Sequence, residues 1–198
     1  MQDLSKDKPA LLIIDMIKEN FDESRKMPVT RFAKQIIAPI NNLSRVFRQK
    51  GLPVVFSTDA FTQQDFFFTG RMKPHSLAGT SVCEIIDELD RQPGDHWQQK
   101  PSMSAFFKTG LEDWLRRRGV TLCVVAGIAT HFCVLTTAMD AICHDFKAVL
   151  LEDCTASGSL EIQDSIVKSY QKNPLYPLFR VISSNNLKKE LMNSAGPI

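Results

Sequence analysis

The sequence predicts an α/β fold in which a six-stranded, mostly parallel sheet is covered by helices on both faces. Three observations lead to this fold class. Short apolar runs indicate buried strands, segments with apolar residues at helical spacing lie between those runs, and the two kinds of element alternate along the chain. Right-handed crossovers are the expected connections between such strands.

The predicted strands are short and rich in apolar residues. Ala10–Ile14 is a continuous apolar run that ends at Asp15, as expected of a strand buried on both faces. Thr121–Ala126 has the same character, and we expect Gly127 to break that strand. In chain order, the predicted strands are Ala10–Ile14, Pro53–Ser57, His96–Gln99, Thr121–Ala126, Lys147–Leu151 and Phe179–Ile182.

The predicted helices follow from apolar residues at helical spacing and from their end signals. Gly51 closes the longest helix, and Thr130 is a good N-cap residue for the helix that follows the fourth strand. The stretch Phe61–Thr80 has no regular pattern, and a long loop in a compact fold tends to be functional. The predicted helices are Arg31–Lys50, Val82–Leu89, Leu111–Arg118, Thr130–His144, Glu161–Lys172 and Leu187–Met192.

Length and composition limit the classes of function. The 198 residues fit one domain, residues 1–198, and carry 24 Lys and Arg against 22 Asp and Glu. This near balance provides no broad electrostatic field for binding nucleic acid or an anionic membrane. The longest clean apolar run near the start, Ala10–Ile14, is far shorter than a membrane span, and no signal-peptide pattern precedes it. We therefore expect a cytoplasmic protein that acts on a small molecule.

The cysteines do not form a disulfide or zinc pattern. There are five, an odd number, and no two of them form a Cys-x-x-Cys pair. At least one thiol must therefore be free. Cys133 is the most informative, because it would lie in the first turn of the helix that starts at Thr130. The positive end of a helix lowers the pKa of a thiol, and the unpaired N–H groups there can hold an oxyanion.

Besides Cys133, two charged residues are candidates for a functional site because they lie at the ends of predicted strands. Ligands of open α/β sheets bind beyond the carboxyl ends of the strands, where the strand order reverses. Asp15 ends the first strand there, and Pro101 restrains the backbone of Lys100 to an extended form after the third strand. Each residue also has a structural interpretation: a turn former for Asp15, a solvated lysine for Lys100, and a small buried apolar residue for Cys133.

Several ordered segments of the chain form a set of motifs. They are Leu12–Met16, Gly79–Thr80, Glu84–Leu89, Gln92–Asp95, Lys100–Phe106, Leu115–Gly119, Val124–Val134 and Thr137–Ala141. Taken together, these segments resemble the isochorismatase-like cysteine hydrolases, a group that includes the nicotinamidases. The resemblance covers residues 8–157 and becomes weaker after them.

The resemblance implies a three-layer α/β/α fold and a catalytic trio at Asp15, Lys100 and Cys133. It also implies a cis peptide bond between Ile128 and Ala129, and an oxyanion hole made by the N–H groups of Ala129 and Cys133. In the mechanism that it implies, Asp15 takes the thiol proton, Cys133 attacks a small amide to form a thioester, and Lys100 keeps Asp15 ionised and oriented. Homo-oligomers, dimers or tetramers, are common in the group, and we expect this chain to form one as well.

The sequence departs from nicotinamidases at their metal site. They bind a divalent metal through an Asp-x-His pair and a further His, and the matching positions here are Asp59, Phe61 and His75. A phenyl ring offers no lone pair, and two protein ligands are fewer than catalytic zinc sites have, so we expect no stable metal and no cofactor. Whether Asp59 and His75 keep a weak metal site stays open. Substrates other than nicotinamide, such as carbamoyl or ureido compounds or small amides, are therefore favoured.

The pocket residues and two competing functions complete the expectations. We expect Asn20, Phe21, Phe61 and Phe106 to line the substrate pocket, and the run Phe66-Phe67-Phe68 to form a lid, a subunit contact or part of the core. The leading hypothesis is a hydrolase of non-peptide carbon–nitrogen bonds. The alternatives are hydrolysis of a vinyl ether by acid catalysis, against which the presence of Cys133 argues, and a non-catalytic redox-sensing or partner-binding role.

Overall fold

The computed structural model describes residue 4 and residues 6–193, and its centre is one parallel sheet. All strand pairings are parallel, and the strand order is β3-β2-β1-β4-β5-β6. The prediction of a six-stranded α/β sheet is confirmed. The strands are β1 Pro9–Ile14, β2 Val54–Asp59, β3 His96–Lys100, β4 Leu122–Ile128, β5 Lys147–Ala156 and β6 Phe179–Ile182.

Helices cover both faces of the sheet. They are α1 Lys18–Phe21, α2 Thr30–Gln49, α3 Leu111–Arg116, α4 Leu135–Cys143, α5 Leu160–Gln171 and α6 Ser184–Asn193. Successive residues of β1 point to opposite faces, so that Leu11 and Ile13 pack in one apolar cluster with α2 and α6. Leu12 and Ile14 pack in the other cluster with α3 and α4. These two cores make the fold a three-layer α/β/α arrangement. No helix among these described residues is long and apolar enough to span a membrane.

The predicted helix Val82–Leu89 is wrong. A single 3-10 turn, Ser81–Cys83, is followed by extended chain in which Ile85 forms an antiparallel bridge with Ile17. Ile86 and Leu89 are buried at helical spacing, which explains the prediction. The side chain of Asn41 on α2 forms hydrogen bonds with this backbone instead. Its amide N–H donates to the carbonyl of Glu88, and its amide oxygen accepts from the N–H of Asp90. Tertiary contacts therefore replace the helical hydrogen bonds.

Gly127 lies inside β4 and does not end the strand. Its φ of 107° is a conformation that side-chain-bearing residues rarely adopt. A Cβ atom at this position would lie 2.1 Å from the carbonyl oxygen of Ile14 on the neighbouring strand. Glycine is required here because β1 and β4 approach each other closely at the edge where the candidate site lies.

Candidate active site

Four side chains of the site come from the carboxyl edge of the sheet. The strand order reverses between β1 and β4, and this is where ligands bind in open parallel sheets. Asp15 follows β1, while Asp59 and Lys100 are the last residues of β2 and β3 and lie side by side in register. Cys133 lies in the helical turn after β4. Parallel pairing thus brings together residues that are more than a hundred positions apart.

Asp15 is held by hydrogen bonds on its backbone and on its carboxylate. Its φ is 53°, a left-handed conformation that Asp tolerates better than most residues. The Asp15 N–H donates to the carbonyl of Ser57 at 3.0 Å, and its carbonyl accepts from the side-chain amide of Asn20 at 2.9 Å. Its Oδ1 accepts from the Asp59 N–H at 2.8 Å. The other oxygen, Oδ2, is thereby aimed at Lys100 and Cys133.

Lys100 places an ammonium group between two carboxylates inside the protein. The side chain is fully buried, and Nζ contacts Oδ1 of Asp59 and lies 3.0 Å from Oδ2 of Asp15. Nζ also donates to the carbonyl of Ser102 at 3.0 Å. Each of the three ammonium hydrogens therefore has an oxygen nearby, as a buried cation requires. Solvation, the alternative interpretation of Lys100, is wrong.

Cys133 directs its thiol at the same carboxylates. The Sγ atom and a carboxylate oxygen of each of Asp15 and Asp59 lie within 4.8 Å of one another. The chain reaches this position through a wide first turn, Thr130–Val134, in which Phe132 has a non-helical conformation. Thr130 does not cap the turn, contrary to the prediction. Ala129 precedes it, and the hydroxyl of Thr130 donates to Gln163 at 2.6 Å instead.

The pKa of the Cys133 thiol is raised, which corrects the prediction of a lowered value. Burial disfavours the thiolate, and the negative charges of Asp15 and Asp59 add to that effect, while Lys100 opposes it. The prediction considered only the positive end of the helix. It could not include two carboxylates that reach the thiol from other strands. The resting form of Cys133 is therefore the thiol, which needs a base before it can attack.

The other two charged groups influence each other. Burial raises the pKa of Asp59 to about 7, with a further contribution from the charge of Asp15, and Lys100 lowers it. Burial alone would lower the pKa of Lys100, but Asp15, Cys133 and Asp59 raise it above its ordinary value. Lys100 therefore stays a cation, whereas Asp59 changes its charge close to neutral pH.

Backbone groups border the thiol on the β4 side. The peptide bond between Ile128 and Ala129 is cis, where the resemblance implies one. Within the part of the chain that the structure describes, the Ala129 N–H has no hydrogen-bond acceptor. Ala129 and Cys133 also line the same cavity. A free N–H beside a nucleophile is what stabilisation of an oxyanion requires.

A cavity of about 200 Å³ opens next to Cys133. Pockets for drug-sized ligands are usually about 300–1,000 Å³, so this one fits a smaller molecule. Two of the four predicted pocket residues, Asn20 and Phe61, line it. Phe21 instead packs against the core cluster beneath α2, and Phe106 is buried on the opposite side of the sheet, stacked on His144. Both predictions fail because local sequence cannot show on which side of the sheet a phenylalanine packs.

The loop residues 61–80 form the outer wall of the cavity. Phe67 lines it and makes an edge contact with Phe61 at 5.6 Å, while Phe68 contacts Phe61 and His75 from behind. The neighbouring Phe66 is exposed. The three adjacent phenylalanines therefore have three different environments. Sequence reasoning missed three methionines in the lining, which no motif signals: Met27, Met72 and Met103.

A buried glutamate anchors this loop. Glu19 of α1 accepts from both the N–H and the hydroxyl of Ser76, and it pairs with Arg25. The backbone carbonyl of Ser76 in turn accepts a hydrogen bond from the Phe61 N–H at 2.8 Å. Glu19 therefore fixes the position of Phe61, and with it one wall of the cavity. No sequence pattern indicates this role, because a Glu in a polar segment is ordinarily solvated.

The residues present do not fit the divalent metal of nicotinamidases. Phe61 takes the place of one ligand, and Nδ1 of His75 lies 3.0 Å from the carbonyl of Lys73. Among the described residues, the group whose side chains lie close enough to share an ion is Asp15, Asp59 and Cys133. The ammonium of Lys100 already lies against both of those carboxylates and would repel a dication.

Comparison with known proteins agrees with the fold. The isochorismatase domain matches residues 9–182 of the chain. Ureidoacrylate amidohydrolase RutB of Pantoea ananatis is 29% identical over 176 residues, which cover 77% of this chain and 70% of that protein. N-carbamoylsarcosine amidase from Thermoplasma acidophilum has a solved structure that is 30% identical, with a TM-score of 0.75, covering 90% of this chain and 97% of that one.

A third relative extends the structural match. The crystal structure of an isochorismatase-like hydrolase from Alkaliphilus metalliredigens is 26% identical, with a TM-score of 0.80, and covers 93% of this chain and 99% of that one. The sheet order, the flanking helices and these matches define an isochorismatase-like α/β hydrolase. The chain belongs to the isochorismatase family, and the resemblance found in its sequence is confirmed.

Proposed function

We propose that this chain is a cysteine hydrolase that cleaves the carbon–nitrogen bond of a small amide, carbamoyl or ureido compound through a thioester at Cys133. The main supporting observation is that Sγ of Cys133 lies within 4.8 Å of an oxygen of the Asp15 carboxylate. That carboxylate is itself 3.0 Å from the buried ammonium of Lys100. Named amidohydrolases among the relatives, RutB and N-carbamoylsarcosine amidase, support the same reaction class.

In the first half of the reaction Asp15 acts as the base. Its carboxylate takes the thiol proton as Sγ of Cys133 forms a bond to the substrate carbonyl carbon, and the carbonyl electron pair moves to oxygen. The N–H groups of Ala129 and Cys133 hold that oxyanion. The carbon–nitrogen bond then breaks, and the leaving nitrogen takes the proton from Asp15. Loss of ammonia leaves an acyl group on sulfur.

In the second half Asp15 acts again as the base. It takes a proton from a water molecule as the water oxygen attacks the thioester carbon, and the carbon–sulfur bond breaks. The sulfur recovers its proton, and the product acid leaves. Lys100 remains charged throughout. Its contact with Oδ2 keeps the Asp15 carboxylate in place and stabilises its negative charge.

The raised pKa of Cys133 bears on the non-catalytic alternative. Redox-sensing cysteines have a low pKa and are accessible to oxidants, because the thiolate is the species that reacts. Burial and two carboxylates raise the pKa of this thiol. Such a thiol reacts slowly unless a base next to it removes the proton, and Asp15 is in that position. A hydrolase therefore fits the site better than a redox sensor.

Ammonia release from a panel of small amides and ureides tests the proposal. We expect Cys133→Ala to lose at least about 10⁴-fold in kcat, as expected when a nucleophile is removed. Cys143→Ala is the matched control, because that cysteine is exposed near the end of α4, away from the cavity, and its loss should leave activity unchanged. Equal ammonia release by the Cys133→Ala variant and the natural protein would end the proposal.

A further inference from the structure

The cavity beside Cys133 has an apolar wall. Of the side chains that line it, the carboxylates and the thiol lie at one end, and thioether and phenyl groups make up most of the rest. Such groups bind hydrocarbon well and offer almost nothing to a charged or strongly hydrated group. The apolar wall comprises Met27, Phe61, Phe67, Met72, Met103 and Phe132.

The cavity also lacks a cation for an acidic substrate. Among the described residues, no lysine or arginine lines it. The nearest ammonium, that of Lys100, is fully buried and already contacts the carboxylates of Asp15 and Asp59. A substrate carboxylate would therefore lose its hydration and approach the like charge of Asp15 without a partner, which is unfavourable.

Of the residues that the structure describes, His75 is the one basic side chain in this lining. Its Nδ1 lies 3.0 Å from the carbonyl of Lys73, and its ring makes edge contacts with Phe61 at 5.4 Å and Phe68 at 5.5 Å. The ring is thus part of the aromatic cluster behind Phe61. It does not provide the forked pair of N–H donors with which arginine holds a carboxylate.

We infer that the substrate is a primary amide of a small, uncharged, apolar carboxylic acid, whose hydrocarbon part packs against Phe61 and the three methionines. This inference rests on the proposed function and specifies its substrate class. It separates the chain from a hydrolase of acidic ureido compounds. The small volume, about 200 Å³, limits the acyl group to a short branched chain or a single ring.

The same wall favours release of the product. Hydrolysis converts R–CO–NH₂ and water into R–COOH and ammonia, and the acid ionises as it leaves. The product therefore carries the carboxylate that the substrate lacks, beside Asp15 and with no lysine or arginine in the part of the lining that the structure describes. We expect the neutral amide to bind and the anionic product to dissociate readily, so that product inhibition is weak.

Probes of equal shape test the inference. In 4-methylpentanamide an isopropyl group occupies the position that a carboxylate occupies in succinamate, and N-carbamoylglycine is the ureido analogue of succinamate. We expect kcat/KM for 4-methylpentanamide to exceed that for succinamate and for N-carbamoylglycine by at least about 100-fold, because a buried charge without a partner is strongly rejected. Binding of each probe to Cys133→Ala, measured by calorimetry, should follow the same order.

A charge-introducing variant sharpens the test. Met72 lines the cavity and is partly exposed, so an arginine there can reach the cavity and still be solvated. We expect Met72→Arg to raise the relative rate on succinamate at least about 10-fold, with Met72→Leu as the apolar control.

Three results would overturn the inference. The first is that the natural protein hydrolyses succinamate or N-carbamoylglycine better than 4-methylpentanamide, and that this ammonia release still requires Cys133. In that case the proposed function survives. Another is tighter binding of the anionic probes than of 4-methylpentanamide to Cys133→Ala. The third is no Cys133-dependent ammonia release from any probe, which would count against the proposed function as well.

Discussion

The two sides of the cavity are built in different ways. On one side Asp15, Asp59 and Lys100 lie at the ends of strands that are hydrogen-bonded to neighbouring strands. The side chains of these three residues are buried. On the other side residues 61–80 contain neither an α-helix nor a sheet strand, only the 3-10 segment Phe66–Thr69, turns and an isolated bridge between Phe61 and Leu77. That loop keeps its place through aromatic contacts and through the hydrogen bonds of Glu19 to Ser76.

This difference assigns catalysis to the strand-end side of the cavity and substrate specificity to the loop side. The charged groups occupy positions fixed by the sheet, where small displacements are costly because the interior is closely packed. The loop lines the cavity with aromatic rings and with the flexible side chain of Met72, which tolerate substitution better. Changes at the strand ends should therefore abolish turnover and weaken folding. Changes in the loop or its anchor should mainly alter substrate affinity.

Lys100→Met should have the largest effect. Removing the ammonium leaves Asp15 and Asp59 buried against each other without a cation. Loss of one partner from a buried ion pair costs about 3–5 kcal/mol of unfolding free energy, and we expect kcat to fall by at least about 10³-fold. Urea denaturation and ammonia release measure the two effects.

Lys34→Met is the control for this change. Lys34 pairs with Glu23 on the surface, where both side chains are largely exposed, so its loss should change the unfolding free energy by less than about 1 kcal/mol. Similar effects of the two substitutions would contradict a special role for the buried ammonium.

Glu19→Ala should act on the other side of the cavity. Ser76 is buried, and without Glu19 its N–H and hydroxyl lose their acceptor, which costs about 1–3 kcal/mol. Because Ser76 holds Phe61, we expect KM to rise about 10-fold while kcat changes by less than 3-fold. Steady-state kinetics separate the two constants.

Glu19→Gln should restore most of the affinity, since the amide oxygen still accepts from Ser76. Glu23→Ala, an exposed acid close in the chain, should leave both constants unchanged. A fall in kcat equal to the rise in KM would show that the anchor does not act on the substrate wall alone.

Asp59→Asn should change how stability depends on pH. The folded pKa of Asp59 is about 7, above the ordinary carboxyl value of 3.8. Between these two pH values the folded state therefore holds a proton that the unfolded state has lost. The stability contributed by that proton is present below pH 3.8 and disappears as pH rises through about 7. The slope is at most about −1.4 kcal/mol per pH unit.

The variant cannot lose this proton, so its unfolding free energy should fall less between about pH 4 and pH 7 than that of the natural protein. Urea titrations at several pH values within this window check the expectation. Parallel curves for the two proteins would show that Asp59 titrates normally in the folded state.

The sequence predicts the strand-end side of the cavity much better than the loop side. Buried apolar runs place β1 and β4, and Asp15 and Cys133, which follow these runs, are delivered to one edge of the sheet. Lys100, the last residue of the polar strand β3, meets Asp15 at the same edge. The raised pKa of Cys133 could not be predicted in this way, because it depends on charges and burial supplied by other strands.

The loop side gives fewer signals. Met72 and Phe67 of the loop follow no periodic pattern, and Glu19 resembles any surface acid until Ser76 is placed beside it. The segment Ser81–Leu89 shows the same limit, since its apolar spacing suits a helix but its backbone pairs with residues near Ile17. Contacts between distant segments decide these regions, and a pattern along the chain does not contain them.

Trapping the acyl-enzyme tests the central claim most directly. The natural protein is mixed with 4-methylpentanamide or another amide that it hydrolyses, quenched with acid within the first turnovers, and analysed by intact and peptide mass spectrometry. We expect a mass increase equal to the mass of the amide less that of ammonia, located on the peptide that contains Cys133 and sensitive to hydroxylamine, as a thioester is. Continued ammonia release with no adduct on Cys133, or with the adduct on another residue, would contradict the account.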